Sequence, residues 1–492
     1  MAPLTSAPSG ETREMWNSLR SGSWLDERRL AGYPILFLAL GLAAVAATLA
    51  TAQGRFDAAG HPLGTDFSQV WVAGLETLRG HPEAPFDLSR HIDAQRSEFG
   101  PRSDVYGWHY PPFFLAPAAA LAALPYLQAL TLWQIATLLF SLAAVLAILR
   151  DSGLARWRII VAALAFPATL VNLGHGQNGF LTAGLLGFGF HLLRARPILA
   201  GVCFGLLAYK PQFALALPVA LACGGCWRTI ASAAATTAAM VLVSVDAFGA
   251  GSWIAFVHSL SDTRTIVLED GAAGFAKIQS VFAAVRLLGG DIRLAYGAQS
   301  ATTLLTIAAL ALLWRSRADD RAKAAATIVA SLLATPYCLD YDMAALAPAL
   351  AFMTARGMER GFGPYMKSAL AAAYVIPLAA RPLAAIASVP LGAATLAVLL
   401  AVIVLDALRD GAAARERSHS IFSVSRPSIF TKKSRLIRRA RETFRPVPPL
   451  SMCRAIWRRI GHGAGGGCAG RAAGAEQSAR ESSVPREEAS CR

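Results

Sequence analysis

Charge is scarce in this chain. Asp, Glu, Lys and Arg make up 16% of its 492 residues, 55% are hydrophobic, and the mean hydropathy is +0.44. Soluble domains carry about 25% charged residues. The shortfall excludes an ordinary water-soluble fold of this length and points to a polytopic membrane protein. Cysteine is also sparse. The thiols at 203, 223, 226, 338, 453, 468 and 491 outline no disulfide framework. Cys223-Gly-Gly-Cys226 has metal-like spacing, but no second Cys or His pair lies near it, which counts against a four-ligand zinc site. Walker and Rossmann patterns are missing, and so are internal repeats. Basic charge is present but unevenly spread. Of the net +15, an excess of 11 comes from the 17 Lys/Arg and 6 Asp/Glu after residue 412, leaving +4 for everything before it. The basic pI is mainly a tail property and gives little support to nucleic-acid binding.

What is abundant is apolar sequence. Runs occur at 33–52, 127–149, 159–173, 179–193, 198–208, 211–222, 229–247, 298–314, 324–336, 343–354, 368–380 and 384–405. Several are shorter than the roughly 17–25 residues of a straight span, so they extend into polar motifs or form half-helices. The stretch from Pro111 to Pro125 reads as re-entrant or interfacial. The expected fold is all-α, with about 10–13 transmembrane or re-entrant helices. Residues 1–30 are polar and carry Arg13, Arg20, Arg28 and Arg29. The apolar run after them is too long for a cleaved signal core and reads as a retained anchor, with the N-terminus in the cytoplasm.

Basic clusters test the topology. From a cytoplasmic N-terminus, the inner connections hold Arg150, Arg156 and Arg158; Arg194 and Arg196; Arg228; Arg315, Arg317, Arg321 and Lys323; Arg356, Arg360 and Lys367; and Arg409 with the tail. Counting 111–125 as a full span would put the later clusters outside. The outer face then receives 53–110, 174–178, 209–212, 248–297 and 338–342. Three regions follow: a cytoplasmic segment 1–30, a membrane domain 31–410, and a basic cytoplasmic tail 411–492. The tail is rich in Arg, Ser, Gly and Pro, and is expected to be disordered or weakly adsorbed on anionic lipid.

Polar groups at membrane depth are costly and usually functional, and the outer face collects several. Asp66, in Gly64-Thr-Asp-Phe-Ser-Gln69, reads either as a general base for a hydroxyl or as the cap of a helix beginning at Phe67. In His109-Tyr-Pro-Pro112, proline gives Tyr110 a fixed platform, although Trp108 and Tyr110 also suit an interfacial aromatic belt. His109 suits a phosphate contact or acceptor positioning. Between Gly174 and Gly179, His175, Gln177 and Asn178 offer donors for sugar hydroxyls or a phosphate; a tight turn explains the glycines alone. Tyr209-Lys-Pro-Gln212 interrupts an apolar run, where a lysine costs about 2.5–3.5 kcal/mol. Lys210 can hold a lipid phosphate as a point charge or snorkel to the surface. Asp340 and Asp342 read as ligands for a divalent metal, as acceptors for sugar hydroxyls, or as a helix end.

Taken together, the Asp after the first span, Tyr110-Pro-Pro112, the helix ending Leu124-Pro-Tyr126, Gly176-Gln-Asn-Gly179, Leu206-Leu-Ala-Tyr-Lys-Pro-Gln212 and Ala334-Thr-Pro-Tyr-Cys-Leu-Asp-Tyr-Asp342 resemble glycosyltransferase family 87, over roughly residues 30–405. The resemblance implies a GT-C membrane fold and an inverting hexosyl transfer. The donor it implies is a polyprenyl-phosphate sugar, often mannose, and the acceptor a glycan or glycolipid. It carries the base role onto Asp66 and donor-site roles into the Gln177–Asn178 and Tyr209–Gln212 motifs. A divalent metal stays open as a cofactor, with no metal ligands assigned. The rival reading is a transporter or flippase for a lipid-linked sugar, whose site would lie near the midplane between repeats.

Overall fold

Helices begin where the sequence supplies caps and prolines. The computed structural model describes residues 10–424. Helix α1 (Gly10–Ser21) precedes α2 (Glu27–Thr51), where Asp26 caps the first turn by accepting from the Arg29 amide at 2.8 Å. Residues 53–110 contain α3 (Phe67–Leu78) and α4 (Leu88–Phe99), the second capped by Asp87. Helix α5 (Leu115–Ala122) has 8 residues, too few to cross a bilayer. It lies so close to α3 that a Cβ on Gly74 would stand 2.1 Å from the Ala118 carbonyl oxygen, an approach only glycine permits.

Pro125 then opens α6 (Tyr126–Ile148). Helices α7 (Arg156–Leu164) and α8 (Pro167–His175) are bent by 53° ahead of Pro167, whose ring cannot continue the hydrogen-bond ladder. Next come α9 (Gly179–Leu192), α10 (Pro197–Leu206) and α11 (Leu217–Cys223). Two 3-10 turns, Leu207–Tyr209 and Pro211–Ala214, separate the last two. Helix α12 (Trp227–Thr263) is interrupted at Gly249, where φ is 75°. The stretch 248–297, expected as a loop, is therefore helical to Glu269, the last six residues as a π-helix, and also holds α13 (Val281–Leu287) and the start of the next helix at Ile292. Gly249 absorbs a local break and the helix resumes beyond it.

Helices α14 (Ile292–Arg315), α15 (Asp320–Leu333) and α16 (Leu346–Arg360) follow, with a 3-10 turn Asp340–Ala345 leading into α16. In α17 (Met366–Ala387) the chain stays helical through Pro377 and Pro382. The expected connection at 381–383 is thus the last part of a helix. Helix α18 (Leu391–Val424) completes the described chain. The tail was expected from residue 411, but the chain stays helical to Val424; the rest of that tail lies outside the described residues.

Among the described residues, six helices are long and apolar enough to cross a membrane, or seven if α7 and α8 count as one bent span. Shorter apolar helices at Pro112–Ala122, Gly179–Leu192, Pro197–Tyr209 and Pro211–Cys223 complete the multi-pass architecture. Among the described residues there is no strand, only isolated bridges such as Ile278 with Leu339.

The core centres on α9 and α15. Helix α9 packs against α6 and α10, and Gly184 lets the Phe140 ring approach where a Cβ would sit 2.2 Å away. Every residue of α15 from Ala322 to Leu333 is buried. At one end of these helices, ion pairs tie the loops together: Arg194 with Asp320 at 2.8 Å, Arg360 with Asp319 at 2.8 Å, and buried Arg356 with Asp406 and Asp410. The polar motifs gather at the other end.

Candidate active site

Asp66 stands at the head of α3, in a turn where Gly64 has φ 75° and Thr65, which is not a glycine, has φ 20°. Such backbone is held against strain by its surroundings, as is common near functional groups. Asp66 occupies the N-cap position, but its carboxylate makes no capping hydrogen bond. It turns inward, 4% exposed, and accepts from Lys277 Nζ at 3.1 and 3.3 Å and from Gln177 Nε2 at 3.2 Å. His175 Nδ1 lies 3.7 Å from it and shares a 2.9 Å hydrogen bond with the Thr65 hydroxyl. A buried carboxylate needs a counter-charge and donors of this kind.

His175 and Gln177 arrive together because α8 ends there. Gly176 takes the left-handed conformation, φ 61°, that closes the helix and turns the chain into α9. Gln177 uses its other amide atom, Oε1, to accept from the Tyr110 hydroxyl at 3.0 Å. Asn178 is 1% exposed, yet neither atom of its amide meets hydrogen-bond geometry with a partner among the described residues. The same holds for Gln69 Oε1, one turn along α3 from Asp66.

A second layer of charge adjoins this one. Lys210, between the two 3-10 turns after α10, is 3% exposed and donates to Asp342 Oδ1 at 2.6 Å. Asp342 Oδ2 accepts from the Leu339 amide. Asp340 faces the other way: Arg381 Nη1 of α17 donates to its Oδ2 at 3.1 Å, and His175 Nε2 lies 3.8 Å off. The Tyr341 ring, between the two aspartates, has Lys210 Nζ 4.9 Å and Lys277 Nζ 5.5 Å from its centroid. The backbone of Lys277 is pinned here as well, since its carbonyl accepts from the Asp340 amide at 2.9 Å.

Three carboxylates and three permanent cations thus interleave, with His175 between Asp66 and Asp340. Burial raises the pKa of Asp340, but His175, Lys277 and Arg381 outweigh it and leave the value below the ordinary one. For Asp342 burial wins over Lys210, and its pKa is raised. Because the two aspartates turn to different cations, they do not form the paired-carboxylate metal site that their spacing allowed. Among the described residues no three His, Cys, Asp or Glu side chains are grouped to hold a metal ion.

Of the residues singled out from sequence, Asp66, Tyr110, His175, Gln177, Asn178, Lys210, Asp340 and Asp342 come together. Three do not join the charge cluster. His109 is exposed and shares a 2.9 Å hydrogen bond with Thr263 of α12. The Tyr209 hydroxyl is taken by Thr182 at 2.5 Å and the Asn178 carbonyl at 3.2 Å, and its ring stacks on Phe114. Gln212 is half-buried in its 3-10 turn and bonds to none of the cluster. Lys277 and Arg381 are the additions. Lys277 comes from a polar stretch where one lysine carries no signal. Arg381 was visible as a lone charge between two apolar runs.

An all-helical multi-pass fold with an ionised cluster at its helix ends defines a polytopic membrane protein with a charged site. Residues 108–336 match the family model of glycosyltransferase family 87, so the chain carries a glycosyltransferase family 87 domain over that span and is a glycosyltransferase. No curated protein and no solved structure matches the chain. The matched span holds Tyr110, His175, Gln177, Asn178, Lys210 and Lys277; Asp66, Asp340, Asp342 and Arg381 lie outside it and are brought to it by the fold.

Proposed function

We propose that the chain is an inverting hexosyltransferase, using a polyprenyl-phosphate sugar, with mannose the leading sugar, and a glycan or glycolipid acceptor at the outer membrane face. Asp66 is the general base. The observation that carries this reading is the buried Asp66 carboxylate beside a cluster of cations at one end of a membrane-embedded helix bundle. The acceptor hydroxyl gives its proton to Asp66 as its oxygen attacks the anomeric carbon. The bond from that carbon to the phosphate oxygen breaks on the opposite face, and its electron pair leaves with the lipid phosphate.

Charge builds on that leaving oxygen, so nearby cations stabilise the transition state. Lys210 and Arg381 are the candidates for this role. The unpartnered Asn178 amide suits sugar hydroxyls, since a buried amide without a partner costs about 1–3 kcal/mol that a ligand can recover.

Purified protein in lipid vesicles, offered polyprenyl-phosphate mannose, other polyprenyl-phosphate hexoses and nucleotide sugars, tests the donor. Transfer from a polyprenyl-phosphate sugar supports the reading. Transfer from nucleotide sugars alone overturns it.

A further inference from the structure

We propose that Arg381 is the docking residue for the lipid-linked phosphate, taking it on the Nε/Nη2 edge of its guanidinium. This rests on the polyprenyl-phosphate reading above. Access is the first argument. The Arg381 side chain is 48% exposed, whereas those of Lys210 and Lys277 are 4% and 11% exposed. It is the one permanent cation of the cluster that an incoming anion meets without first opening the bundle.

The second argument is how the guanidinium is used. Both of its contacts run through Nη1, to Asp340 Oδ2 at 3.1 Å and to His175 Nε2 at 3.2 Å. Nε and Nη2 have no partner among the described residues. A guanidinium serving only as counter-ion to Asp340 would present its fork to the carboxylate. Here one nitrogen anchors the group, and the edge left free is the one that grips a phosphate through two parallel N–H bonds.

Position supplies the third. Arg381 lies in the last two turns of α17, about 9 Å from its end, a depth from which an arginine reaches the headgroup layer. One turn back toward mid-membrane on the same face, Leu378 is 50% exposed, and Val375 beyond it is exposed too. An anion site at the interface with open apolar surface leading inward has the polarity of a phosphorylated lipid. A free anion has no use for the apolar part.

The test measures binding of undecaprenyl phosphate to the full chain in phosphatidylcholine nanodiscs, with undecaprenol and inorganic phosphate as competitors. Arg381→Gln keeps a donor for Asp340 and removes the charge. It should weaken undecaprenyl phosphate binding roughly 10- to 100-fold. Arg381→Lys, a point charge without the fork, should fall between the two and serves as the readout if the Gln variant does not fold. Inorganic phosphate at equal concentration should fail to displace the lipid. Undecaprenyl phosphate bound equally well by the folded variants overturns the docking role, and so does equal displacement by inorganic phosphate. If the unsubstituted protein binds undecaprenyl phosphate no better than undecaprenol, the donor reading itself falls.

Discussion

Asp66 accepts from Lys277 on both oxygens and from Gln177 on Oδ2, and this shapes what its substitution should do. Asp66→Asn removes the proton-accepting charge at constant size. General-base contributions are about 10²–10⁴-fold in rate, so kcat should drop by that order while donor affinity changes little. The substitution also leaves Lys277 without its counter-charge, so a melting curve must accompany the assay. A folded Asp66→Asn protein with near-normal turnover would remove Asp66 from the base role.

Lys210 calls for a different experiment. Its partner Asp342 is fully buried, and stripping one member of a buried pair costs about 3–5 kcal/mol. Lys210→Ala should therefore lower stability as well as donor affinity. Lys210→Met combined with Asp342→Leu should recover most of the stability but not the affinity. Comparing thermal melts with donor binding across the three proteins separates the two effects, and a single variant as stable as the parent would show the pair contributes nothing.

At the scale of elements, α4 carries a built-in sensitivity to acid. His91 is wholly buried there, and neither ring nitrogen has a hydrogen-bond partner among the described residues. Burial, helped by His109, pushes its pKa from 6.5 down to about 3. Between those values the unfolded chain binds a proton that the folded chain refuses, so stability falls as pH drops below 6.5. The slope approaches about 1.4 kcal/mol per pH unit. His91→Leu should raise the melting temperature at pH 5 more than at pH 8. Equal shifts at both would mean that the ring is not held neutral.

Elements also show where sequence was legible. The motifs around Asp66, His175, Lys210 and Asp340 were readable because polar groups stand out in an apolar chain. Boundaries were less so. Pro382 next to Arg381 reads as a turn, yet the helix continues because membrane helices tolerate proline where neighbours satisfy the freed carbonyl. Gly249 likewise reads as an end and acts as a bend. Reading 381–383 as a connection made Arg381 an ordinary loop residue, and reading 248–297 as a loop did the same for Lys277. Their roles depend on contacts across the fold that local pattern does not carry.

For the whole molecule, the proposed orientation puts 53–110 and the far end of α12 outside, with the Arg194–Asp320 and Arg356–Asp406 pairs inside. In a background without the native cysteines, Ala58→Cys should react with an impermeant thiol reagent applied from outside. Asp151→Cys should react only after the membrane is opened. The reverse pattern would invert the topology and place the reaction on the cytoplasmic side.

Helix α9 runs from the reaction cluster to the opposite end of the bundle in 14 residues, about 21 Å of rise, against a hydrocarbon layer of about 30 Å. In the orientation proposed above, with the opposite end of α9 level with the inner headgroups, the cluster at its head lies inside the outer boundary of the hydrocarbon layer. The two substrates then face unequal journeys. Under the proposed function, the lipid-borne donor would slide in sideways with its tail still in the leaflet, while the acceptor would be lowered from water, chain end first. Such a layout favours adding single sugars to the tips of long glycans over modifying their middles.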